Sequence, residues 1–568
     1  MDCSRLLGNL AAVNPVTQLA DQLLDLTFTA DPVFATMTGV PGRSDAYASL
    51  LPDRGAAGEQ TLRARLSDVV AQAVAMDPAQ LSGEDKVTHA VVLDHARSMI
   101  DQLDTRNVEY VVTDLFIGPA ADLLTMLPMT ALPDAEAGRA YLARLREIPR
   151  YLDQVAERHR AGAAAGRVPV ARLVDASVAH LGRYLADPAN DPLARAEMTG
   201  DLGQEREKVL ADVVRPAFAK YRSLLTDEIA AHGRSDDKPG VCWLPEGEET
   251  YGLLSRVHTT TDRTPDELHQ TGLDVVAQLA DEYRELGSRV FGTSDLAEIF
   301  RRMTSDPALR WRDGEELLTS AREAVTRAEE AAPAWFGRLA STQCKVEPVA
   351  ENDAPGAPAA YYMWPSMDGK RPGIYFANTH QAHERDRFIS EVIAFHEAVP
   401  GHHFQLAIAQ ELTHLPLLRR VVGPNAYVEG WGLYTERLAD EMGLYSSDLF
   451  RLGMLAMDSL RAGRLVVDTG LHAKGWSREQ AVTFLRDNSP MADLEIANEI
   501  DRYIAYAGQA LSYMVGRLEI QRIRADAEQV LGSRFDISAF HDVVLGSGSL
   551  ALSVLEDVVT DWVAASRA

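Results

Sequence analysis

Apolar residues recur at intervals of three and four positions along most of the chain, which is the spacing of an amphipathic α-helix. Residues 16–235 contain several such stripes with short turns between them. The clearest stripes are Leu19, Leu23, Leu24 and Phe28; Leu62, Leu66, Val69, Val70 and Val74; and Tyr141, Leu142, Leu145, Ile148, Tyr151 and Leu152. Farther on, Thr264, Pro265 and Glu267 combine an N-cap, a first-turn proline and a capping box. The pattern predicts a mainly α-helical fold.

Residues 345–378 differ, because short runs of β-branched and aromatic residues replace the helical stripes. Strands are predicted at 345–349, 360–364 and 373–377. Asp368 and Gly369 form a turn signal between the second and third runs. We therefore expect a small β-sheet directly before the next helix. Arg371, beside this turn, is a candidate for contacting a substrate carboxylate.

The best candidate for a domain boundary is the segment 233–252, which opens on the charged, Pro- and Gly-containing run at 236–240. We predict an N-terminal helical lobe over residues 1–235 and a catalytic lobe over residues 236–568. The two lobes are expected to form one structural unit with a central cleft.

The composition narrows the classes of partner. A formal net charge of −27 argues against nucleic acid and anionic membrane surfaces, because both require basic patches. Cys3, Cys242 and Cys344 are odd in number and widely spaced, so they predict neither a disulfide framework nor a cysteine metal site. The first residues lack the pattern of a signal peptide, and no apolar run approaches 20 residues. These features predict a cytoplasmic protein.

The segment from His396 to His403 reads His-Glu-Ala-Val-Pro-Gly-His-His. A histidine followed directly by a glutamate, with further histidine downstream, is the arrangement that zinc hydrolases use for two ligands and a general base. Burying this many ionisable groups is costly unless a metal or a polar network satisfies them. The motif therefore predicts a zinc site in which Glu397 is the general base.

The spacing within this motif requires a break in the helix. On an unbroken helix His402 would point about 120° away from His396, and His403 would lie ~10 Å farther along the axis. Pro400 and Gly401 disfavour a continuous helix at this point. Looping out two residues would place His402 where the second ligand normally stands. We therefore predict His402 as the second ligand and keep His403 as the alternative.

Glu429 is the candidate third ligand, because it lies 33 residues after His396. That interval allows the first helix to end and a second one to return antiparallel to it. Glu436 follows seven residues later on a similar helix face and is a candidate to support the ligands from behind. Three protein ligands leave a fourth position for water, as catalytic zinc requires.

A wider set of motifs resembles the bacterial domain-of-unknown-function family 885. The matching residues are the motif at 396–405, Glu429, Gly430, Trp431, Gly432 and Glu436, Tyr361 and Tyr362, Asp468 and His472, Arg502 and Tyr503, Gly508, Gln509 and Tyr513, and Phe540, His541 and Asp542. That family is similar to the gluzincin metallopeptidases, which include angiotensin-converting enzyme and the thimet-type oligopeptidases. Ala507 departs from the family pattern, which has a proline there. The resemblance implies a large helical peptidase fold around one zinc ion per chain.

The resemblance also implies roles for residues of the C-terminal helices. Gluzincins place a tyrosine from a late helix over the zinc, and Tyr503 and Tyr513 are the candidates for stabilising the oxyanion. By the same analogy, Arg502 would bind a peptide C-terminus, with Gln509 beside it. Arg464, Asp468 and His472 form a ladder on one predicted helix. We expect His472 to contact the substrate and Asp468 to act behind the site, although the ladder is equally compatible with a structural role.

Together these features predict a zinc-dependent hydrolase of peptide bonds in short peptides. Two alternatives remain: a metal-dependent hydrolase or lyase of a small amide metabolite, and a metal-binding protein without turnover. The presence of Glu397 argues against the last. The substrate, the end of the peptide that is cleaved, and the choice between monomer and homodimer do not follow from the sequence.

Overall fold

The computed structural model describes residues 14–198, 200–351, 354 and 357–567. Cys3 and the other residues considered for a signal peptide lie outside these ranges. The helices before the sheet are α1 (Pro15–Ala30), α2 (Pro32–Thr38), α3 (Ala56–Val74), α4 (Glu84–Asp104), α5 (Pro119–Met126), α6 (Ala135–Ala164), α7 (Ala171–Ala186), α8 (Asp201–Val209), α9 (Arg215–Leu224), α10 (Gly247–Thr259), α11 (Pro265–Phe291), α12 (Leu296–Ser305) and α13 (Gly314–Ala331). Two π-helical segments, Leu210–Val214 and Leu225–Ile229, flank α9.

The helices after the sheet carry the histidine and glutamate motifs. They are α14 (Ser390–Glu397), α15 (His402–Glu411), α16 (Leu417–Val421), α17 (Asn425–Glu441), α18 (Asp448–His472), α19 (Arg478–Asn488), α20 (Asp493–Ala505), α21 (Ser512–Leu531), α22 (Ile537–Gly546) and α23 (Leu552–Arg567). The predicted start of α11 is confirmed, because Thr264 and Glu267 form a reciprocal capping box with Pro265 in the first turn. The mainly helical fold class is confirmed as well.

The predicted sheet is also confirmed. It consists of β1 (Cys344–Pro348), β2 (Ala360–Met363) and β3 (Gly373–Ala377), in the order β1-β3-β2. β1 runs parallel to β3, and β2 runs antiparallel to it. Gly369, in the turn between β2 and β3, has a φ of +73°, a conformation that favours glycine. The sheet precedes α14 in the chain, and it contacts α15, because Tyr362 of β2 hydrogen-bonds to His403.

The buried side chains do not divide at residue 235. The largest apolar cluster joins α1, α3 and α4 to the C-terminal helices, and it includes Leu23, Val92 and Phe395. A second cluster lies mostly within α5–α9. The earliest helices therefore pack with the C-terminal half of the chain. The division into 1–235 and 236–568 stays a prediction.

Helix α18 lies at the centre of the C-terminal half. Nearly every residue from Leu452 to His472 is buried, and this helix packs along α11 on one side. α17 and α21 also cross closely, because Gly430 and Gly516 face each other where a Cβ on either would overlap the opposite backbone. This close crossing fixes α17, which carries Glu429, against the rest of the molecule.

Candidate metal centre

The helix breaks where the sequence predicts. α14 ends at Glu397, α15 begins at His402, and the Val399–Pro400 peptide bond between them is cis. Gly401 lies so close to the backbone of the preceding turn that a Cβ there would overlap the His396 carbonyl oxygen. The backbone N–H of His403 donates to the carbonyl of Ala398 at 3.2 Å, which closes the loop. The break turns His402 back toward His396, and their ring centroids lie 4.6 Å apart.

Glu429 completes a three-residue group with these two histidines. Its Oε2 atom lies 3.7 Å from Nε2 of His396 and 3.5 Å from Nε2 of His402. All the ligand atoms of the group lie within 4.8 Å of one another, and among the described residues no other such group of His, Cys, Asp or Glu occurs. Ligand atoms around a tetrahedral zinc ion lie about 3.3 Å apart, given bond lengths of ~2.0–2.2 Å. The spacing therefore fits one zinc-sized ion.

Contacts from α17 hold this geometry. Trp431, which has no exposed surface, donates its indole N–H to the carbonyl of Pro400 at 3.0 Å. Gly432 lies against the imidazole of His396, where a Cβ would be 2.7 Å from Cε1. Each residue from 429 to 432 thus has its own role. Glu429 is the candidate ligand, and Gly430 allows the close crossing with α21. Trp431 hydrogen-bonds to the break in the helix, and Gly432 leaves space for the imidazole of His396.

The electrostatics of the group favour a cation. Nδ1 of His396 lies 2.8 Å from Oε1 of Glu436, which is fully buried. Burial lowers the pKa of His396, but Glu429 and Glu436 outweigh it and raise that pKa to about 10. Burial also raises the pKa of Glu429, yet His396 and His402 hold it well below its usual range. Two carboxylates therefore stabilise positive charge at the histidines, and a metal ion can take the place of a proton there.

His403, the alternative ligand, lies outside this group. Its Nδ1 accepts from the hydroxyl of Tyr362 at 2.9 Å, and its Nε2 donates to the carbonyl of Thr342 at 2.7 Å. Both ring nitrogens are used, and burial lowers the pKa of the ring. His403 therefore ties α15 to the sheet and to the segment before it, and the geometry favours His402 as the ligand.

Glu397, the proposed general base, is half-buried next to the first ligand. It lies toward the sheet, because its charge adds to the effect of burial in raising the pKa values of Cys344 in β1 and Tyr375 in β3. Among the described residues no hydrogen-bond partner of its carboxylate is found, so the group is free to accept a proton from a water.

The three tyrosines near the end of α20 occupy different environments. The hydroxyl of Tyr503 donates to Glu499 and accepts from Arg464, and the residue is only 1% exposed. Tyr513 accepts from Arg502 at 3.3 Å. Tyr506, which the sequence analysis did not single out, is half-buried and close to the ligand Glu429. Burial raises the pKa of Tyr506, Arg502 lowers it, and Tyr513 and Glu429 raise it further.

The remaining predicted site residues make hydrogen bonds within the protein. Arg371 donates to the carbonyls of Met37 and Trp364, so it ties the hairpin to α2. Gln509 accepts from Arg502 at 3.0 Å.

Asp468 and His472 both hold the backbone that flanks Tyr506. Asp468 accepts from the hydroxyl of Tyr251 at 2.6 Å and from the backbone N–H of Gly508 at 3.1 Å. His472 donates from Nε2 to the carbonyl of Tyr503 at 3.0 Å and accepts at Nδ1 from the backbone of Val241. Neither side chain has exposed surface. Both side chains are therefore occupied by partners within the protein, and His472 does not lie at a surface that a substrate can reach.

The protein is therefore large and mainly helical, and its candidate metal centre combines the His396–Glu397 pair with His402 and Glu429. The chain belongs to the family described as bacterial protein of unknown function (DUF885), which matches residues 32–559. Among curated proteins, none matches the chain.

Two solved structures share the fold. The crystal structure of a candidate lipoprotein from Colwellia psychrerythraea is 26% identical with a TM-score of 0.89, over 97% of this chain and 100% of that one. A candidate lipoprotein of unknown function from Shewanella oneidensis is 18% identical with a TM-score of 0.73, over 96% of this chain and 99% of that one. Within the described ranges, no helix has the length and apolar character needed to cross a membrane. The cytoplasmic location stays a prediction.

Proposed function

We propose that this protein is a zinc-dependent hydrolase of peptide bonds in short peptides. The observation that carries the proposal is the convergence of Nε2 of His396, Nε2 of His402 and Oε2 of Glu429 within 4.8 Å, with Glu397 directly beside the first ligand. Two histidines and one carboxylate are the ligand set of several zinc peptidases. A buried carboxylate behind the first histidine is the usual support for such a ligand.

The chemistry divides between the bound ion and the side chains of the chain. A zinc ion held by the three ligands would polarise the scissile carbonyl and acidify the attacking water. Glu397 accepts the proton from that water and returns it to the nitrogen of the leaving amine, which makes it both general base and general acid. Glu436 fixes the ring of His396 by accepting from Nδ1, so that Nε2 faces the ion.

Tyr506 is the tyrosine that we assign to the developing oxyanion. The hydroxyl of Tyr503 is hydrogen-bonded to Glu499, whereas Tyr506 is half-buried and lies near the candidate ligand Glu429. A hydroxyl donor that meets the oxyanion contributes typically ~3 kcal/mol to transition-state stabilisation. Tyr513 stays the alternative, because its hydroxyl accepts a hydrogen bond from Arg502 and keeps its own proton to donate.

The first test is the metal content of protein purified without chelators. We expect about one zinc ion per chain in the wild type and loss of zinc in His396→Ala. His414→Ala is the matched control, because His414 is exposed and lies outside the group. A wild type that binds no metal, and gains no activity when zinc is added, would overturn the proposal.

The second test separates the metal from the chemistry. Glu397→Gln is expected to keep its zinc and lose peptide hydrolysis by about 10²- to 10⁴-fold. Activity is measured on a panel of dipeptides, tripeptides and N-acyl amino acids, with small non-peptide amides beside them. Hydrolysis confined to the small amides would favour the alternative substrate class, and full activity of Glu397→Gln would contradict the assigned role.

A further inference from the structure

Three arginines converge on Tyr513. Arg461 and Arg464 project from α18 onto the ring of Tyr513, with guanidinium carbons 5.4 Å and 4.5 Å from its centroid. Arg502, from α20, donates to the hydroxyl of the same tyrosine at 3.3 Å. Arg461 is only 7% exposed and Arg464 only 3%. The group is therefore a buried concentration of positive charge around one aromatic ring.

The acidic partners of this group do not balance its charge. Glu499 lies 2.8 Å from Arg464 and 3.7 Å from Arg502. Arg461 makes no ion pair with any carboxylate in the described part of the chain, and its Nη1 donates to the sulfur of Met457. The neighbouring carboxylate of Asp458 is used by Arg437 and Arg517. Three cations thus share one anion.

Several guanidinium nitrogens are also buried without a partner. They are Nε of Arg461, Nη1 of Arg464 and Nε of Arg502. An unpaired charge in a protein interior is strongly destabilising, even after the surroundings relax. Contacts between a guanidinium group and an aromatic ring offset only part of that destabilisation. The arrangement therefore lacks an anion, and planar guanidinium groups bind carboxylates through paired hydrogen bonds.

The arginine group shares a neighbour with the metal centre. His258 links Tyr506 to α17, because its ring centroid lies 5.2 Å from that of Tyr506 and its Nδ1 lies 2.9 Å from the side-chain amide of Asn425, one helical turn before Glu429. The charge of Arg502 and the hydroxyl of Tyr513 act on the same tyrosine. Asp468 and His472 hold the backbone on either side of Tyr506. Tyr506 is therefore a neighbour both of the helix that carries Glu429 and of the arginine group.

We propose that Arg461, with Arg464 and Arg502, binds a carboxylate group of the substrate, so that the enzyme selects short peptides that present a carboxylate to these arginines. This assignment rests on the proposed peptide hydrolysis. Arg461 supplies a positive charge that pairs with no carboxylate among the described residues. Arg464 and Arg502 are held in place by Glu499, Tyr503 and Gln509. The carboxylate belongs either to the peptide C-terminus or to an acidic side chain.

The binding test needs neither metal nor turnover. Chelator-treated full-length protein is titrated with succinate and, separately, with its neutral analogue succinamide, and binding is followed by calorimetry and by the shift in Tm. We expect saturable binding of succinate and at least ten-fold weaker binding of succinamide. Arg461→Gln is expected to lose at least ten-fold in succinate affinity, and Arg461→Lys to retain part of it because the charge remains. Equal binding of the two compounds, or no binding of succinate, would overturn the proposal.

Arg451→Gln is the matched control, because Arg451 is on the same helix but already pairs with Asp440 and Asp448. It is expected to bind succinate as the wild type does. If Arg461→Gln does not fold, the comparison of succinate with succinamide on the wild type decides the question by itself. Wild-type affinity in folded Arg461→Gln would overturn the role of Arg461.

The hydrolysis test distinguishes the two sources of the carboxylate. Zinc-loaded protein is compared on peptides with neutral side chains that end in a free acid or in an amide, and on amidated peptides that carry one glutamate. We expect KM to rise at least ten-fold for the peptide that lacks the carboxylate bound by the arginines. In Arg461→Gln, the peptides with and without that carboxylate should have similar KM values. Succinate binding without any hydrolysis would contradict the proposed function but leave an anion site. Hydrolysis without a carboxylate preference would contradict the anion site alone.

Discussion

Nδ1 of His396 lies 2.8 Å from Oε1 of Glu436, and the carboxylate of Glu436 has no exposed surface. The glutamate stands two helical turns after Glu429 on α17, so a single helix supplies one proposed metal ligand and the hydrogen-bond partner of another. This relationship makes the orientation of His396 depend on a residue outside the proposed ligand set.

Replacing Glu436 with Gln should therefore weaken zinc binding without removing a ligand. Loss of a supporting carboxylate typically lowers metal affinity by about 10- to 100-fold. The affinity is measured by competition with a chromogenic chelator. Glu441→Gln, at the exposed end of the same helix, is the control. Unchanged zinc affinity in Glu436→Gln would contradict the supporting role.

Replacing Gly432 with Ala should displace His396, because the added Cβ would lie 2.7 Å from Cε1 of the imidazole. We expect a loss of zinc affinity and a loss of stability of about 1–3 kcal/mol, as for other overpacked positions. Gly252→Ala is the control, since no atom lies within 4 Å of its added Cβ and the position is helical. Urea unfolding and zinc competition on both variants test the prediction, and a Gly432→Ala protein with wild-type zinc affinity would refute it.

The two adjacent histidines should behave differently when replaced. His402→Ala is expected to lose zinc, because it removes a ligand. His403→Ala is expected to keep zinc but lose about 1–3 kcal/mol of stability, since Tyr362 and the carbonyl of Thr342 lose their buried partner. Metal analysis and thermal unfolding of both variants distinguish the two roles. If His403→Ala lost its zinc while His402→Ala kept it, His403 would be the ligand and His402 would not.

Replacing Tyr506 with Phe should lower kcat by about 10²-fold, with little change in KM, because the hydroxyl is expected to act on the transition state. Tyr503→Phe removes a buried hydrogen bond to Glu499, so stability should fall more than kcat. The measurements are steady-state kinetics of both zinc-loaded variants on one dipeptide. Loss of kcat in Tyr513→Phe, with none in Tyr506→Phe, would move the oxyanion role to Tyr513.

The pH dependence of stability should reveal the raised pKa of Asp468. Burial raises the pKa of Asp468 to about 7, and hydrogen bonds from Tyr251 and Gly508 reduce the rise only in part. Because the folded-state pKa lies above the unfolded value, stability is fully present below the unfolded pKa and is lost as pH rises through the folded one. Relative to Asp468→Asn, the wild type should lose about 2–3 kcal/mol between pH 5 and pH 8. Urea unfolding at both pH values measures this difference, and a constant difference would contradict the prediction.

Much of the architecture was predictable because it depends on local spacing. The helical stripes, the capping box at Thr264 and the sheet at 345–378 each follow from the period of side chains or from turn chemistry. The break at Pro400 was also predictable, since proline and glycine cannot continue the helix that the two histidines would otherwise occupy.

The sequence by itself determined the helical class, the small sheet, the family and the candidate ligands, because these depend on residue types at short intervals along the chain. Only the tertiary structure decided what depends on contacts between distant segments. It separated His402 from His403 through the partners of their ring nitrogens, and it brought Tyr506 rather than Tyr503 toward Glu429. It also placed Arg461 beside Arg464 and Arg502 with no carboxylate of the described residues paired to it. Spacing along a helix cannot reveal such relationships, since each is set by which helices cross and how closely they approach.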